Sequence, residues 1–435
     1  NEYGQGLNTS EYYYSLWLED EENAGKSYQD FHNEMGFSWA LDGSGGQMSA
    51  DESWGSRLDA GLMVNQMHGD SMPWISQPKN VKDYYKLGIS TINNIALSAG
   101  GENASGRLTI GYTSQKGTSP NTDQKKLNIG VNSNFKLTDR LSVDINTTYT
   151  NLQNDNLPQQ GNSMRNPLVE FNSWFGRQVD TKYLEDHYED IVMYDGQEMA
   201  FNWMLAWPQQ HANPYWNAYK NTMSRDRHRV YGNAAITYNL FQGVDIMGRV
   251  GTDFFNEHRK FLYHKYSRDW TDMYENSTNG NFWEQYRLES ETNLDLLLKV
   301  DKDLTDDLLL LATVGTAHRS AYDQFATTSG INLVVPDFFS TSNYEGEASI
   351  DFTKYKKVTN SVFGSANLGF KRYLFLDLTL RGDWSSTLPR ENWNYWYPSA
   401  NLGFIFTDAF GIESRVLSYG KLRGGYAVVG NDTDP

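Results

Sequence analysis

The stretch Leu127-Asn128-Ile129-Gly130-Val131-Asn132-Ser133-Asn134-Phe135-Lys136-Leu137 alternates apolar and polar residues at nearly every step. After Thr138-Asp139-Arg140 the alternation resumes: Leu141, Val143, Ile145, Thr147 and Tyr149 alternate with Ser142, Asp144, Asn146, Thr148 and Thr150. Successive side chains of a strand point to opposite faces, so each run is a strand with one greasy and one wet side. A connection this short makes the two strands antiparallel.

The pattern recurs outward in both directions. Leu108, Ile110 and Tyr112 share a face, as do Val230, Ala234, Ile236, Tyr238 and Leu240. Val244, Ile246, Val250 and Phe254 oppose Asp245, Arg249 and Asp253. Leu294, Leu296, Leu298 and Val300 oppose Asn293, Asp295 and Lys299, and Leu374, Leu376, Leu378 and Leu380 oppose Asp377, Thr379, Arg381 and Asp383. About twelve strands of roughly 12 to 16 residues are expected, against ~5 to 6 in soluble sheets. Crossing a bilayer at a tilt takes ~9 to 11 residues.

Connections alternate in length. Short ones lie near 100–106, 138–140, 241–243, 301–306, 371–372 and 411–417; longer ones cover 154–226, 258–284, 320–352 and 388–396, with 117–123 a brief exception. Short turns at one end and long loops at the other are the plan of an outer-membrane barrel. The reading is all-β, a transmembrane antiparallel barrel with long extracellular loops in the outer membrane of a Gram-negative bacterium. A soluble β-sandwich or solenoid also alternates, but strand length, loop asymmetry and charged lumen-side residues favour the barrel. The expected organisation is a loop over 1–82, strands over 83–153, a loop over 154–226 holding one helix near 166–175, and strands with long loops over 227–435.

Composition narrows the classes. Among 435 residues there are 28 Tyr, 21 Phe and 13 Trp, too many aromatics for a disordered chain. No run approaches the ~20 apolar residues of a membrane helix. Cysteine is absent, which excludes disulfides, thiolate metal sites and a cysteine nucleophile. With 54 carboxylates against 37 Lys and Arg, a nucleic-acid partner is not expected.

Catalytic motifs are missing. His187 lies in the acidic stretch Tyr183-Leu184-Glu185-Asp186-His187-Tyr188-Glu189-Asp190, and His258 and His264 flank Arg259, Lys260 and Tyr263, none with a nucleophile or second ligand at a defined spacing. Asp42-Gly43-Ser44-Gly45-Gly46 lacks the Gly and Glu placement of an EF-hand loop. A loop calcium ion stays open without a motif; no cofactor, metal site or enzymatic activity is expected.

Specific strings then resemble the SusC/RagA family of TonB-dependent outer-membrane transporters. They are Asn1-Glu2-Tyr3-Gly4-Gln5-Gly6, Ser53-Trp54-Gly55-Ser56-Arg57-Leu58-Asp59, Ile95-Ala96-Leu97-Ser98-Ala99-Gly100-Gly101-Glu102, and Tyr112-Thr113-Ser114-Gln115-Lys116-Gly117 with Pro120-Asn121. Further on come Leu380-Arg381-Gly382-Asp383-Trp384-Ser385-Ser386, Tyr397-Pro398-Ser399-Ala400-Asn401-Leu402-Gly403-Phe404 and Lys421-Leu422-Arg423-Gly424-Gly425-Tyr426. The resemblance implies the front part of a 22-stranded plugged barrel, with the plug, TonB box and remaining strands outside this sequence.

It also implies import of a bulky oligosaccharide or oligopeptide, a SusD-like surface lipoprotein and the TonB complex as partners, and lipid around the barrel. A passive porin or a surface adhesin is the alternative, and a soluble carbohydrate-binding protein a distant third. Arg381, Asp383 and Trp384 would lie near the substrate chamber, although Arg381 and Asp383 at spacing two also suit a structural ion pair. Trp393, Trp396 and Tyr397 would stack on sugar rings or form the aromatic girdle. Trp54 and Arg57 would dock the lipoprotein or pack within their loop.

Overall fold

A computed structural model describes residues 4, 11–35, 57–66, 70–161, 165–173, 175–194, 197–203, 212–267 and 279–433. The leading segment holds helices α1 (Glu11–Trp17) and α2 (Tyr28–Met35), a hairpin of β1 (Met63–Gln66) and β2 (Asp70–Pro73), and helix α3 (Asn80–Tyr84). The large sheet opens with β3 (Ile89–Gly100), β4 (Ala104–Lys116), β5 (Asp123–Lys136) and β6 (Leu141–Asn154). An insertion follows, with helices α4 (Pro167–Ser173), α5 (Thr181–Asp186) and α6 (Pro214–Tyr219) and the hairpin β7 (Ile191–Tyr194)–β8 (Gln197–Ala200).

The sheet resumes with β9 (Met223–Phe241), β10 (Val244–Tyr263), β11 (Asn281–Thr305), β12 (Leu308–Ser329) and β13 (Ser349–Phe370). It continues through β14 (Leu374–Ser385), β15 (Asn394–Ile405), the one-turn helix α7 (Phe406–Ala409) and β16 (Lys421–Ala427). All twelve strands are antiparallel and each pairs with the next in the chain, β6 joining β9 across the insertion. Among the described residues β3 and β16 each have one neighbour.

Strand number agrees with the periodicity; strand length does not. The strands β3 to β6 run 12 to 14 residues, whereas β9 to β13 run 19 to 25. Beyond the bilayer both faces of a strand meet water, so the alternation fades while the hydrogen-bond ladder continues. For the same reason the connection before β9 shrinks, that strand starting at Met223 rather than 227, whereas the leading segment runs longer, the first sheet strand starting at Ile89 rather than 83. Leu137 closes the turn, its N–H donating to the carbonyl of Leu141.

The turn after β9 is two residues, Gln242 and Gly243. Gly243 has φ +77°, and a Cβ there would stand 2.1 Å from the Asp301 carbonyl, so glycine is required.

One face of the sheet is apolar and exposed to its surroundings, including Leu296, Leu298, Val314, Val362, Leu378, Leu380 and Leu402. A water-soluble protein does not leave such a face bare. Lipid covers it here, and closure of backbone hydrogen bonds between strands makes that burial tolerable.

The long connections have a core of their own. Tyr84, Phe171, Phe175, Val179, Leu184, Phe201, Trp203 and Tyr215 are buried together, drawn from α3 and the insertion. Asn80 knits the two segments: its amide donates to the Gly176 carbonyl, Arg177 donates to its side-chain oxygen, and Thr181 Oγ1 donates to its carbonyl. Trp216 Nε1 donates to Ser267 Oγ at 2.7 Å, joining the connection after β10 to the same roof.

Candidate functional site

Pairing register places side chains on the polar face in rows across six strands. One row reads Arg249, Asp295, Ala317, Ser361, Asp383 and Tyr395, from β10 to β15. The next reads Met247, Leu297, Gly315, Phe363, Arg381 and Tyr397. The first row and Phe363, Arg381 and Tyr397 of the second, with Tyr231 and Asn233 of β9 and Asn431 and Asp432 after β16, line a cavity of about 720 Å³. A single hollow bounded by both β9 and β15 requires the sheet to curl around its polar side, which is the lumen.

Charge in the cavity is paired. Arg249 meets Asp295 at 2.7 Å, Arg319 meets Glu291 at 2.7 Å, and Arg229 pairs with Asp253. Arg381 Nε lies 2.8 Å from Asp383 Oδ1, its Nη2 donates to Ser361 Oγ at 2.9 Å, and its guanidinium sits 5.6 Å from the Phe363 ring centroid. Lys357 reaches Asp432 at 2.7 Å. The chamber therefore presents fixed donors, acceptors and aromatic faces with little net field.

Parity then sorts the candidates. Arg381, Asp383 and Tyr397 come together in the cavity. Trp384 and Trp396 do not, because they occupy the alternate positions of β14 and β15 and face lipid. Their rings meet edge-on at 5.9 Å, and Trp396 covers Gly382, where a Cβ would stand 2.9 Å from the indole. They stand as rim aromatics. Trp393 lies in the link between these strands, half exposed and outside the lining. Tyr395 is a lining residue that sequence reading passed over, although it shares parity with Tyr397.

Arg57 is held by Asp59 two residues on, at 2.8 Å, which supports packing within its own segment. Trp54 and the glycine-rich 42–46 lie outside the described residues. His187 caps the end of α5, 2.7 Å from Asp190, and His264 meets Asp337 at 3.2 Å. Among the described residues no three His, Asp or Glu side chains are grouped for a metal ion.

No family model and no curated protein matches the sequence. Solved structures do. The RagAB peptide importer in its closed-closed state superposes with a TM-score of 0.68 over 99% of this chain and 46% of that one, at 16% identity. Its open-open state gives 0.62 over 80% and 37%, at 17% identity. The chain has the fold of the SusC/RagA transporter barrels. A further structure of the RagAB peptide transporter gives 0.61 over 78% of this chain and 36% of that one, at 16% identity. The chain thus spans less than half the length of these RagA-type barrels.

Proposed function

We propose that the chain is part of a TonB-dependent SusC-like importer that draws a bulky oligopeptide or oligosaccharide across the outer membrane beneath a SusD-like lipoprotein lid. The observation that carries this is the 720 Å³ chamber on the lumen face. Its size falls in the range of small-molecule and peptide sites. Paired charges such as Arg249–Asp295 suit a zwitterionic backbone or a hydroxylated ring equally, and Tyr231, Tyr395 and Tyr397 add flat apolar contact. The chemistry is binding and passage rather than catalysis. The likeness to a structure described as a peptide importer supports the peptide half of the reading.

The test is uptake by the source bacterium after deletion of the gene and complementation. Labelled oligopeptide or oligosaccharide uptake that returns with the full-length gene, and collapses on adding a protonophore, supports active import. Restored uptake that ignores the protonophore overturns it in favour of a passive porin. Restoration with no uptake of either solute class favours an adhesin.

A further inference from the structure

Above the chamber, at the roof end of β9 and β10, the balance of charge changes. Arg225 stands directly opposite Arg259 and Arg227 directly opposite Glu257, all on the lumen face. Like charges facing each other across a ladder are unfavourable. Glu257 is fully buried and both its oxygens are committed. Oε2 accepts from Arg227 Nε at 2.6 Å and Oε1 accepts from Arg259 Nε at 2.7 Å.

Nothing anionic is left for Arg225. Its Nε and Nη2 both donate to the neutral side-chain oxygen of Asn154, at 3.1 and 2.9 Å. Asp226, between the two β9 arginines, points to the other face and takes His228 and Asn151. Three guanidinium groups thus stand beside one carboxylate, which bonds only two of them.

The contrast with the rest of the lumen is informative. Arg229, Arg249, Arg319 and Arg381 each have a carboxylate, and Arg287 lies between Glu289 and Asp323. Among the described residues Arg107 of β4 and Arg423 of β16 also face the lumen without a carboxylate, both near the turn end, so that along β9 to β14 the cationic excess, in a chain of net charge -17, falls at one place. That place is the entry to the lumen, for Met223 N–H donates to Asn156 Oδ1 and its carbonyl accepts from Leu157, where the roof begins. The Arg227 and Arg259 side chains remain a quarter to a third exposed, so their outer nitrogens can be reached.

We infer that Arg225, Arg227 and Arg259 form an oxyanion-recognition site at the lumen entry, which takes carboxylate groups of the transported solute. The planar guanidinium fork matches a carboxylate edge-on, and unneutralised forks beside a buried acid are set to accept one. The biological use of the site rests on the import reading; its affinity does not.

The experiment is isothermal titration of the full-length protein in detergent micelles, at low ionic strength, with hexaglutamate and with hexaglutamine. The acidic peptide should bind at least about tenfold tighter, and Arg225→Gln should cut its affinity by about tenfold, as for one charge-assisted hydrogen bond. Arg225→Lys should keep most of the preference, and heat-modifiable gel mobility verifies that each variant is folded. Added inorganic sulfate should compete only weakly; competition at equal concentration would mean a site for free anions, and would overturn the assignment to the solute. Equal affinity for the two peptides, no binding of either, or an Arg225→Gln variant that binds hexaglutamate unchanged would also overturn it. Because micelle binding needs no energy source, failure here leaves the protonophore-sensitive uptake test untouched.

Discussion

Replacing Leu298 with arginine tests the lipid face directly. On β11 the outward positions from Leu294 to Leu304 include Leu296, Leu298 and Val300, with Lys302 lying over the Phe241 ring near the lower end. Ten residue steps at ~3.4 Å make about 34 Å of strand. At a tilt of ~40° this is about 26 Å of height, close to the ~25 Å apolar band of such barrels. Leu298 stands near the middle of that run. An arginine there should cost ~2–4 kcal/mol.

Leu288 has the same parity but lies ten residues nearer the roof, about 26 Å higher, clear of the hydrocarbon, and its arginine variant should cost ~0–1 kcal/mol. Ser365 faces a lumen hollow of about 420 Å³ lined by Asp245, Asp301 and Asp377, so Ser365→Arg should stay within ~0.5 kcal/mol. The assay is reversible guanidinium unfolding of the full-length protein in phospholipid vesicles, followed by tryptophan fluorescence. If Leu288→Arg costs as much as Leu298→Arg, or Leu298→Arg costs under ~0.5 kcal/mol, the lipid-face assignment is refuted.

Three further outcomes follow from particular contacts. Leu184 is fully buried in the roof core, so Leu184→Ala should cost the roof ~2–5 kcal/mol and speed hydrogen exchange there while leaving the barrel's unfolding midpoint unchanged; a shifted barrel midpoint would show the two to be one unit. Burial raises the Asp337 carboxyl, but hydrogen bonds from His264 and the Lys265 N–H outweigh it and hold the group below its ordinary value. A depressed folded value means its contribution is present at neutral pH and is lost as pH falls below ~3.9 through the lowered value, so hydrogen-exchange protection of 330–348 should drop there, and Asp337→Asn should show that drop already at neutral pH. Tyr395→Ala should weaken solute binding with little effect on vesicle stability, whereas Trp396→Ala should do the reverse, and matching effects on both readouts would contradict their placement on opposite faces.

The barrel was legible because period two survives wherever one face meets lipid and the other water, as in Leu374–Leu380 against Asp377–Asp383. Where both faces are wet the signal vanishes, which is why the roof ends of β9 to β13 (223–226, 258–263, 281–284, 320–329 and 349–352) read as loops although the strand ladders continue through them, as at Arg225–Arg259. The same rule would have separated Trp384 and Trp396 from Arg381 and Asp383 by counting, had the aromatic character of the segment not drawn all of them to one site. The roof was opaque for a different reason. Its core joins Tyr84 to residues about a hundred positions away, and short helices such as Pro214–Tyr219 carry too few turns to show a period.

The two readings of Arg381 and Asp383, structural pair or solute contact, are not exclusive. Spacing two on one strand brings the groups together whatever else is present, and Ser361 completes the guanidinium's partners on the neighbouring strand. Such a pair offers a solute directional hydrogen bonds without a net charge to bind too tightly, which passage requires. The arginines at the entry differ because two of them divide one buried glutamate and the third, Arg225, bonds only the neutral Asn154 oxygen. An acidic solute would therefore be drawn in where the field is strong and handed down to rows where it is balanced, so that capture at Arg225 and release past Arg381 are separate properties of one lumen. Substituting Glu257 with Gln would sharpen the first by removing the competing carboxylate, and raise hexaglutamate affinity, while leaving the Arg381–Asp383 row untouched. A fall in that affinity would show that Glu257 positions the arginines rather than competing for them.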